Sequence, residues 1–346
     1  MTIPPRVIAR RGLAALALAC LCPAHAAAQV KLFRSDSVLP VTLRTDFRDL
    51  RRDRDTTKAK AVWREATLTY AESEGAVTTP LRVRTRGIYR LKTCDDPPIR
   101  LAFSDSTARG TLFKGLHHPK LVVPCRNRSD YEQLILQEYG IYKVQRLLTP
   151  VSLSARLLRV TFEDMSGRTN PQTQYAFITE DPQRLARRLG GMLDVAGGIS
   201  VNDLTPSNAA QMLVFQYFIG NTDWSLPGLH NATAIVVQDT ILPLVWDFDW
   251  SGVVDAPYAT PDPRLNGIRS VRERIWWWRC MSAEELEPAL AHFEALRDSI
   301  AAVVRSIPGL EPKEQQRTLS YYDDFYKAIG DRQRFVRNVV RRDCRQ

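Results

Sequence analysis

A short stretch of the sequence carries oxygen ligands at both of its ends. Asp223 follows an apolar run that ends in Gly-Asn-Thr, Asn231 lies in the next loop, and Asp247 ends a second apolar run, "LPLVWDF". A carboxylate at the end of each element, with an amide from the linking loop, makes a hard oxygen site of the kind that Mg²⁺ or Mn²⁺ prefers. Phosphoryl transfer uses such a site, in which one carboxylate orients the nucleophile and the other ligands hold metal on the phosphates.

The spacing of these groups resembles, but does not copy, the catalytic loop of protein kinases. Kinases place them as D-x-x-x-x-N, followed by a hairpin and D-F-G. Here Asn231 lies eight residues after Asp223, and Asp247-Phe248-Asp249 follows the predicted hairpin. The sequence therefore predicts Asp223 as the catalytic carboxylate and Asn231 and Asp247 as metal ligands, with Asp249 as the second-choice ligand.

The segment "ILPLVWDFDWSG" also imitates the first motif of haloacid-dehalogenase-type phosphatases. In those enzymes the first Asp of D-x-D is a nucleophile and the second is a general acid, so this alternative needs Asp249 more than the kinase hypothesis does. The strand should then open a doubly wound α/β domain. The residues after Asp247 instead have the pattern of helices, which makes the phosphatase the third choice.

The elements that must position these groups change character along the chain. The first half has strand patterns, with "VWREATLTYA" and "TTPLRVRTRG" predicting a hairpin around "ESEG". Because side chains alternate along a strand, the second of these strands sends its arginines to one face and its apolar residues to the other. "SDYEQLILQEYGIYKVQRLLT" predicts a helix. After Asp181 the pattern is mainly helical, and "TAIVVQ" and "LPLVWDF" form the hairpin that leads to the second acidic cluster.

Several motifs together resemble the spore-coat-protein-H (CotH-like) family of secretory atypical kinases: "RTRGIYRLKTCDDPPIRL", "KLVVPC", "YAFITED", "GNTDWSLPGLHN" and "WDFDWSG". The resemblance covers roughly Leu81 to Arg274. It implies an α+β chain with a bilobal kinase-like fold, comprising a β-rich N-terminal lobe over 29–180 and a mainly helical C-terminal lobe over 181–346 that carries the acidic metal site. It also implies ATP with Mg or Mn as cofactors, and transfer of the γ-phosphate to a hydroxyl of a secreted or envelope protein.

The resemblance also assigns roles to residues of the first lobe. Lys120 becomes the phosphate-contacting lysine, Glu138 its helix partner, and Glu180 lies near the lobe linker. No G-x-G-x-x-G loop precedes Lys120 and no V-A-I-K is present. The phosphates must then be held by Arg84, by Arg86 or by backbone near Gly87. Arg100 is an equal rival to Lys120 as the phosphate contact.

Export is predicted from residues 1–28. Arg6, Arg10 and Arg11 precede the apolar run "GLAALALACLCPA", which is too short to span a membrane, and "AHAAAQ" offers a cleavage site. These are the features of a secretory signal peptide. Cys20 lacks the usual Leu of a lipoprotein signal, so no lipid anchor is expected. We expect a periplasmic, cell-surface or secreted protein.

Four cysteines follow the predicted signal peptide, and export favours their pairing. Four cysteines allow three pairings. We favour Cys94–Cys125, which would join two predicted strands, with Cys280–Cys344 as the second bridge. No further apolar stretch is long enough to span a membrane.

The charge pattern leaves a binding function open. The formal net charge of +10 is spread along the chain without a Lys/Arg block, so nucleic acid is not an expected partner. A basic exported protein could also meet anionic envelope polymers. The alternative to a kinase is therefore a non-catalytic envelope-binding module, a pseudokinase that uses its arginine and tryptophan surfaces.

Overall fold

A computed structural model describes residues 29–54, 62–265 and 267–344. The predicted signal peptide and Cys20 lie outside the described residues. Within the described part, seven strands close into a barrel in the order β1-β2-β3-β4-β5-β7-β6. These strands are β1 Leu39–Thr45, β2 Arg64–Glu72, β3 Gly75–Thr85, β4 Ile99–Ala102, β5 Lys120–Val122, β6 Ala155–Asp164 and β7 Gln172–Thr179.

The barrel is mixed because β1 pairs with β6 in parallel, whereas the other neighbouring strands pair antiparallel. Alternation along β3 buries Leu81 and Val83 in the barrel core and leaves Arg82 exposed on the outside. The outer face of β3 to β5 is therefore polar and cationic, as the arginine alternation predicts.

A second group of elements packs beside the barrel. A three-stranded sheet has the order β10-β9-β8, with β8 Met192–Leu193, β9 Ala232–Val237 and β10 Thr240–Val245. The α-helices are α1 Phe47–Arg52, α2 Tyr89–Thr93, α3 Ser129–Leu148, α4 Pro182–Arg188, α5 Pro206–Ile219, α6 Ala283–Ala295, α7 Arg297–Ser306, α8 Pro312–Ile329, α9 Arg332–Phe335 and α10 Arg341–Asp343. Short 3₁₀ turns cover Lys31–Arg34 and Val201–Asp203, and a π-helical turn covers Val336–Val340.

The predicted bilobal kinase-like fold, with a β-rich lobe and a helical C-terminal lobe, is wrong. The strands before residue 180 form a closed mixed barrel, and the part after residue 181 contains a sheet as well as helices. The reason lies in the pairing of β1 with β6, in which Leu39 is opposite Leu158. This long-range register closes the sheet, and the pairing of β1 with β6 cannot be predicted from a local pattern of hydrophobic residues.

Both expected disulfides, Cys94–Cys125 and Cys280–Cys344, are confirmed. The first joins the segment after α2 to the segment after β5, on the side of the barrel that faces α3. The search for a membrane-spanning helix, made over the described residues, finds none that is long and apolar enough.

Candidate functional site

Helix α5 positions the first acidic group. The second half of the helix is buried, and the helix ends at Gly220, whose left-handed conformation (φ 66°) turns the chain at the C-cap. Asn221 then donates its side-chain amide to Gln216 of the helix (3.1 Å) and accepts the backbone N–H of Asp223 (3.1 Å). Asp223 is therefore held at a fixed distance from the end of a rigid element.

Asp223 and Asn231 meet, as the sequence predicts. The Asn231 side-chain amide donates to the Oδ2 atom and to the backbone carbonyl of Asp223, both at 3.0 Å. His230 places its Nε2 atom 2.8 Å from Oδ1 of the same carboxylate. The sequence analysis did not select His230, although its position beside Asn231 in the "HN" pair was a usable signal.

Strand β10 delivers the second acidic group. The Trp246 backbone N–H donates to the carbonyl of Asn231 (3.0 Å), which ties the two halves of the site together. Asp247 follows in a left-handed conformation (φ 64°), and its N–H donates to the hydroxyl of Tyr142 on α3 (2.9 Å). Positive φ is uncommon for residues other than glycine. Strained backbone of this kind concentrates at functional sites.

Two cations from the barrel converge on Asp247. Lys120 Nζ lies 3.6 Å and Arg86 Nη1 lies 3.9 Å from its Oδ2 atom, and 22% of the Asp247 side chain is exposed. Burial alone would raise the pKa of Asp247, but Lys120, Arg86 and Arg90 outweigh burial and hold the pKa below its ordinary value. Asp247 is therefore ionised at neutral pH and electrostatically paired.

Glu138 on α3 lies behind this pair as a buried carboxylate without hydrogen bonds. The residue is 1% exposed, and neither side-chain oxygen has a hydrogen-bond partner among the residues that the structure describes. The expected partnership with Lys120 is not formed, since Lys120 faces Asp247 instead. Burial, and then Asp249 and Asp247, raise the pKa of Glu138 well above its ordinary value. A buried carboxylate without partners is costly, and such groups are typical of functional sites.

Asp249 occupies the inner side of the same cluster. Phe248 is fully buried between Tyr142 and Phe215, so the two neighbouring acids flank an anchored ring. The Tyr258 hydroxyl donates to Asp249 (3.0 Å), and Arg90 Nη1 lies 3.9 Å from it.

Burial, and then the charge of Asp247, raise the pKa of Asp249 from 3.8 to about 6. Asp223 raises it further, which places all three acids in one electrostatic neighbourhood. Arg90 was not among the site residues predicted from the sequence; it lies in the short helix α2.

A cleft of about 440 Å³ opens beside Lys120, between the barrel and the small sheet. Its volume suits a small-molecule ligand. Arg100, predicted as a phosphate contact, lines it together with Lys120 on the barrel side, and Trp246 lines it on the other side. Glu180 also lines the cleft, but its buried carboxylate accepts from Arg188 (3.0 Å) and from the backbone of Ser154 (3.2 Å). Glu180 is thus already satisfied by protein groups.

The metal site stays a prediction. In the part of the chain that the structure describes, no group of three or more His, Cys, Asp or Glu side chains is arranged to hold a metal ion. The predicted set contains two carboxylates, Asp247 and Asp249, and the amide of Asn231. These are hard oxygen donors of the type that Mg²⁺ accepts. A cation between them would relieve the repulsion that raises the pKa of Asp249.

Comparisons with protein-family models, curated proteins and solved structures find no match to this chain.

Proposed function

We propose that the protein binds ATP with Mg²⁺ or Mn²⁺ and transfers the γ-phosphoryl group to a hydroxyl of a secreted or envelope protein. The observation that carries the proposal is the convergence of Lys120 and Arg86 on Asp247, because Lys120 also lines a cleft large enough for a nucleotide. The motif resemblance to the CotH-like family supports the same chemistry.

The cationic side chains would bind the phosphates. Lys120 and Arg86 lie on the barrel side of Asp247. Burial lowers the pKa of Lys120, Asp247 opposes this, and Arg86 and Arg100 lower it further. A lysine crowded by other cations gains from a bound anion, because the anion removes the repulsion. Arginine adds a planar fork that matches phosphate oxygens.

Asp223 would orient the acceptor. His230 and Asn231 fix both of its carboxylate oxygens, and 31% of the side chain stays exposed. An acceptor hydroxyl at this exposed edge would donate its hydrogen bond to the carboxylate and so point its oxygen at the phosphorus. Positioning and electrostatic stabilisation supply most of the catalysis in phosphoryl transfer.

Asp247, Asp249 and Asn231 would hold the metal ion. The metal would neutralise charge that develops on the transferred group. The chain contributes the oxygen donors and the barrel cations, and Phe248 fixes the two carboxylates relative to each other.

Binding without transfer is the second candidate function, and one observation favours it. Each oxygen of Asp223 already contacts a protein group, His230 Nε2 on one side and Asn231 Nδ2 on the other. A carboxylate so engaged is a weaker base than one facing solvent. A pseudokinase would bind ATP at Lys120 and transfer nothing.

Phosphoryl transfer from γ-labelled ATP to a generic acidic or basic protein acceptor separates the two functions. For a kinase, we expect incorporation that Asp223→Asn reduces by roughly 10²-fold or more, while ATP binding changes little. Lys120→Met should weaken ATP binding, and Lys143→Met, whose lysine pairs with Asp36 away from the site, is the matched control. ATP binding without any phosphate incorporation would favour the pseudokinase. If Lys120→Met binds ATP and incorporates phosphate as well as the unmodified protein does, the assigned site is refuted.

A further inference from the structure

Three cations form a straight row across the outer face of the barrel. Arg84 on β3 is directly opposite Arg100 on β4, and Arg100 is directly opposite Lys120 on β5. Neighbouring strands lie about 4.8 Å apart, so the row spans about 10 Å. Like charges directly opposite each other destabilise a sheet, so an anion bound along the row would relieve their repulsion.

Within the described residues, a carboxylate pairs directly with the row at its Lys120 end. Lys120 faces Asp247, whereas within the described residues no carboxylate oxygen lies within 4.0 Å of the guanidinium group of Arg84 or Arg100. The Nε atoms of Arg84 and Arg100 are buried and have no hydrogen-bond partner in the described part of the chain. Burial, and then Arg86 and Arg84, lower the pKa of Arg100, and Asp181 opposes them. The middle and far end of the row therefore have excess positive charge and unused donors.

The Arg84 end of the row is positively charged and does not have the form of a nucleoside pocket. Trp63 lies there, but the guanidinium groups of Arg84 and Arg82 approach its ring at 4.8 and 5.8 Å, and the His118 ring lies 5.6 Å away. These groups occupy the surroundings of the ring that a base would need for stacking. Arg82 is exposed on the same face of β3 and continues the positive surface, although Glu65 is opposite it on β2.

We propose that the row binds a linear phosphoanhydride chain, and that inorganic polyphosphate is the ligand it fits. The terminal phosphoryl group would lie at Lys120 beside Asp247, with later groups along Arg100 and Arg84. An extended acidic peptide repeats side chains on one face about every 7 Å, wider than the spacing of the row. A polyphosphate carries charge on every unit, which matches closely spaced guanidinium groups.

The inference rests on the proposed function, because it places phosphoryl transfer at the same Lys120–Asp247 end of the row and names polyphosphate as a second phosphoryl donor. In that step the acceptor oxygen bonds to the terminal phosphorus while the bridging P–O bond breaks. The acceptor proton passes to Asp223, and the chain leaves one phosphoryl group shorter. No other reactant is needed.

The inference is tested by titration calorimetry on the protein with both disulfides formed. The ligands are pyrophosphate, tripolyphosphate and long-chain polyphosphate, all at one fixed Mg²⁺ concentration. We expect affinity to rise with chain length, by roughly tenfold for each arginine that becomes engaged. Arg84→Gln should remove part of that gain and leave pyrophosphate affinity within about twofold, whereas Arg100→Gln should weaken the binding of all three ligands. Arg44→Gln, which removes an exposed arginine from the outside of β1, is the matched control and should change nothing.

Three results would overturn the inference. The first is equal affinity for tripolyphosphate and the long chain in the unmodified protein, a measurement that needs no variant. The second is equal binding of a polyglutamate of similar charge, which would indicate a general polyanion surface. The third is that Arg44→Gln loses as much affinity for long-chain polyphosphate as Arg84→Gln does. If any of these results is found but ATP with Mn²⁺ still stabilises the protein, the proposed function stands and the polyphosphate inference fails. If ATP does not stabilise the protein but the affinity for polyphosphate rises with chain length, the ATP proposal alone fails.

Discussion

Replacing Asp249 with Asn should stabilise the protein at neutral pH. In the folded protein, burial and Asp247 raise the pKa of Asp249 from 3.8 to about 6. An acid whose pKa is raised by folding contributes stability that is present below its unfolded pKa and lost as pH rises through the folded value. Each pKa unit corresponds to about 1.4 kcal/mol, so ionised Asp249 lowers the free energy of unfolding by about 3 kcal/mol above about pH 6.

The asparagine keeps the shape of the side chain and cannot ionise. Its carbonyl oxygen still accepts the hydrogen bond from Tyr258, which Asp249 accepts at 3.0 Å. Removing the charge also relieves Glu138, whose pKa Asp249 helps to raise, so both effects have the same sign. The advantage of Asp249→Asn should therefore grow by about 3 kcal/mol between about pH 4 and pH 7 and stay level above that.

Urea unfolding of both proteins across this pH range, with the disulfides intact, measures the difference. Asp324→Asn is the control: its side chain is 61% exposed and pairs with Lys327 at the surface, where such pairs contribute about 1 kcal/mol or less. A difference for Asp249→Asn that stays flat with pH, or that falls as pH rises, would refute the assignment of a buried, charge-crowded carboxylate.

Two further predictions concern the frame around the site. Gly252→Ala should lower the free energy of unfolding by about 1–3 kcal/mol, because the added Cβ would overlap both the Tyr321 hydroxyl and the Val271 carbonyl oxygen; chemical denaturation checks it, and an unchanged midpoint would contradict it. Replacing Cys94 and Cys125 together with alanine should cost about 4 kcal/mol from the entropy of a 31-residue separation, seen as a lower urea midpoint, and a loss under about 1 kcal/mol would show that the bridge adds little.

Local patterns were enough to predict the hairpin of β2 and β3, the hairpin of β9 and β10, and both disulfides. They also predicted that Asp223 and Asn231 lie close together, because both residues flank elements whose ends are clear in the sequence. Each of these features depends on residues close in sequence or on a small number of possible pairings.

The closed barrel and the charge network depend on distant registers instead. The pairing of β1 with β6 closes the sheet, and the cation row exists only because β3, β4 and β5 align Arg84, Arg100 and Lys120. A one-residue shift of any of these strands would turn the charge to the other face. For the same reason, the pairing of Lys120 with Asp247 instead of Glu138 could not be deduced: the approach of α3 to the segment after β10 depends on the packing of Tyr142 against Phe248.

Thermal unfolding with and without ATP and Mn²⁺, for the unmodified chain and for Asp247→Asn, tests the central claim most directly. Ligand at about 100 times its Kd should add about 2.7 kcal/mol to the free energy of unfolding of the unmodified chain, and Asp247→Asn should lose most of that gain. Asp324→Asn should retain the gain. Absence of stabilisation in the unmodified chain, or equal stabilisation in Asp247→Asn, would contradict a nucleotide site built around Lys120 and Asp247.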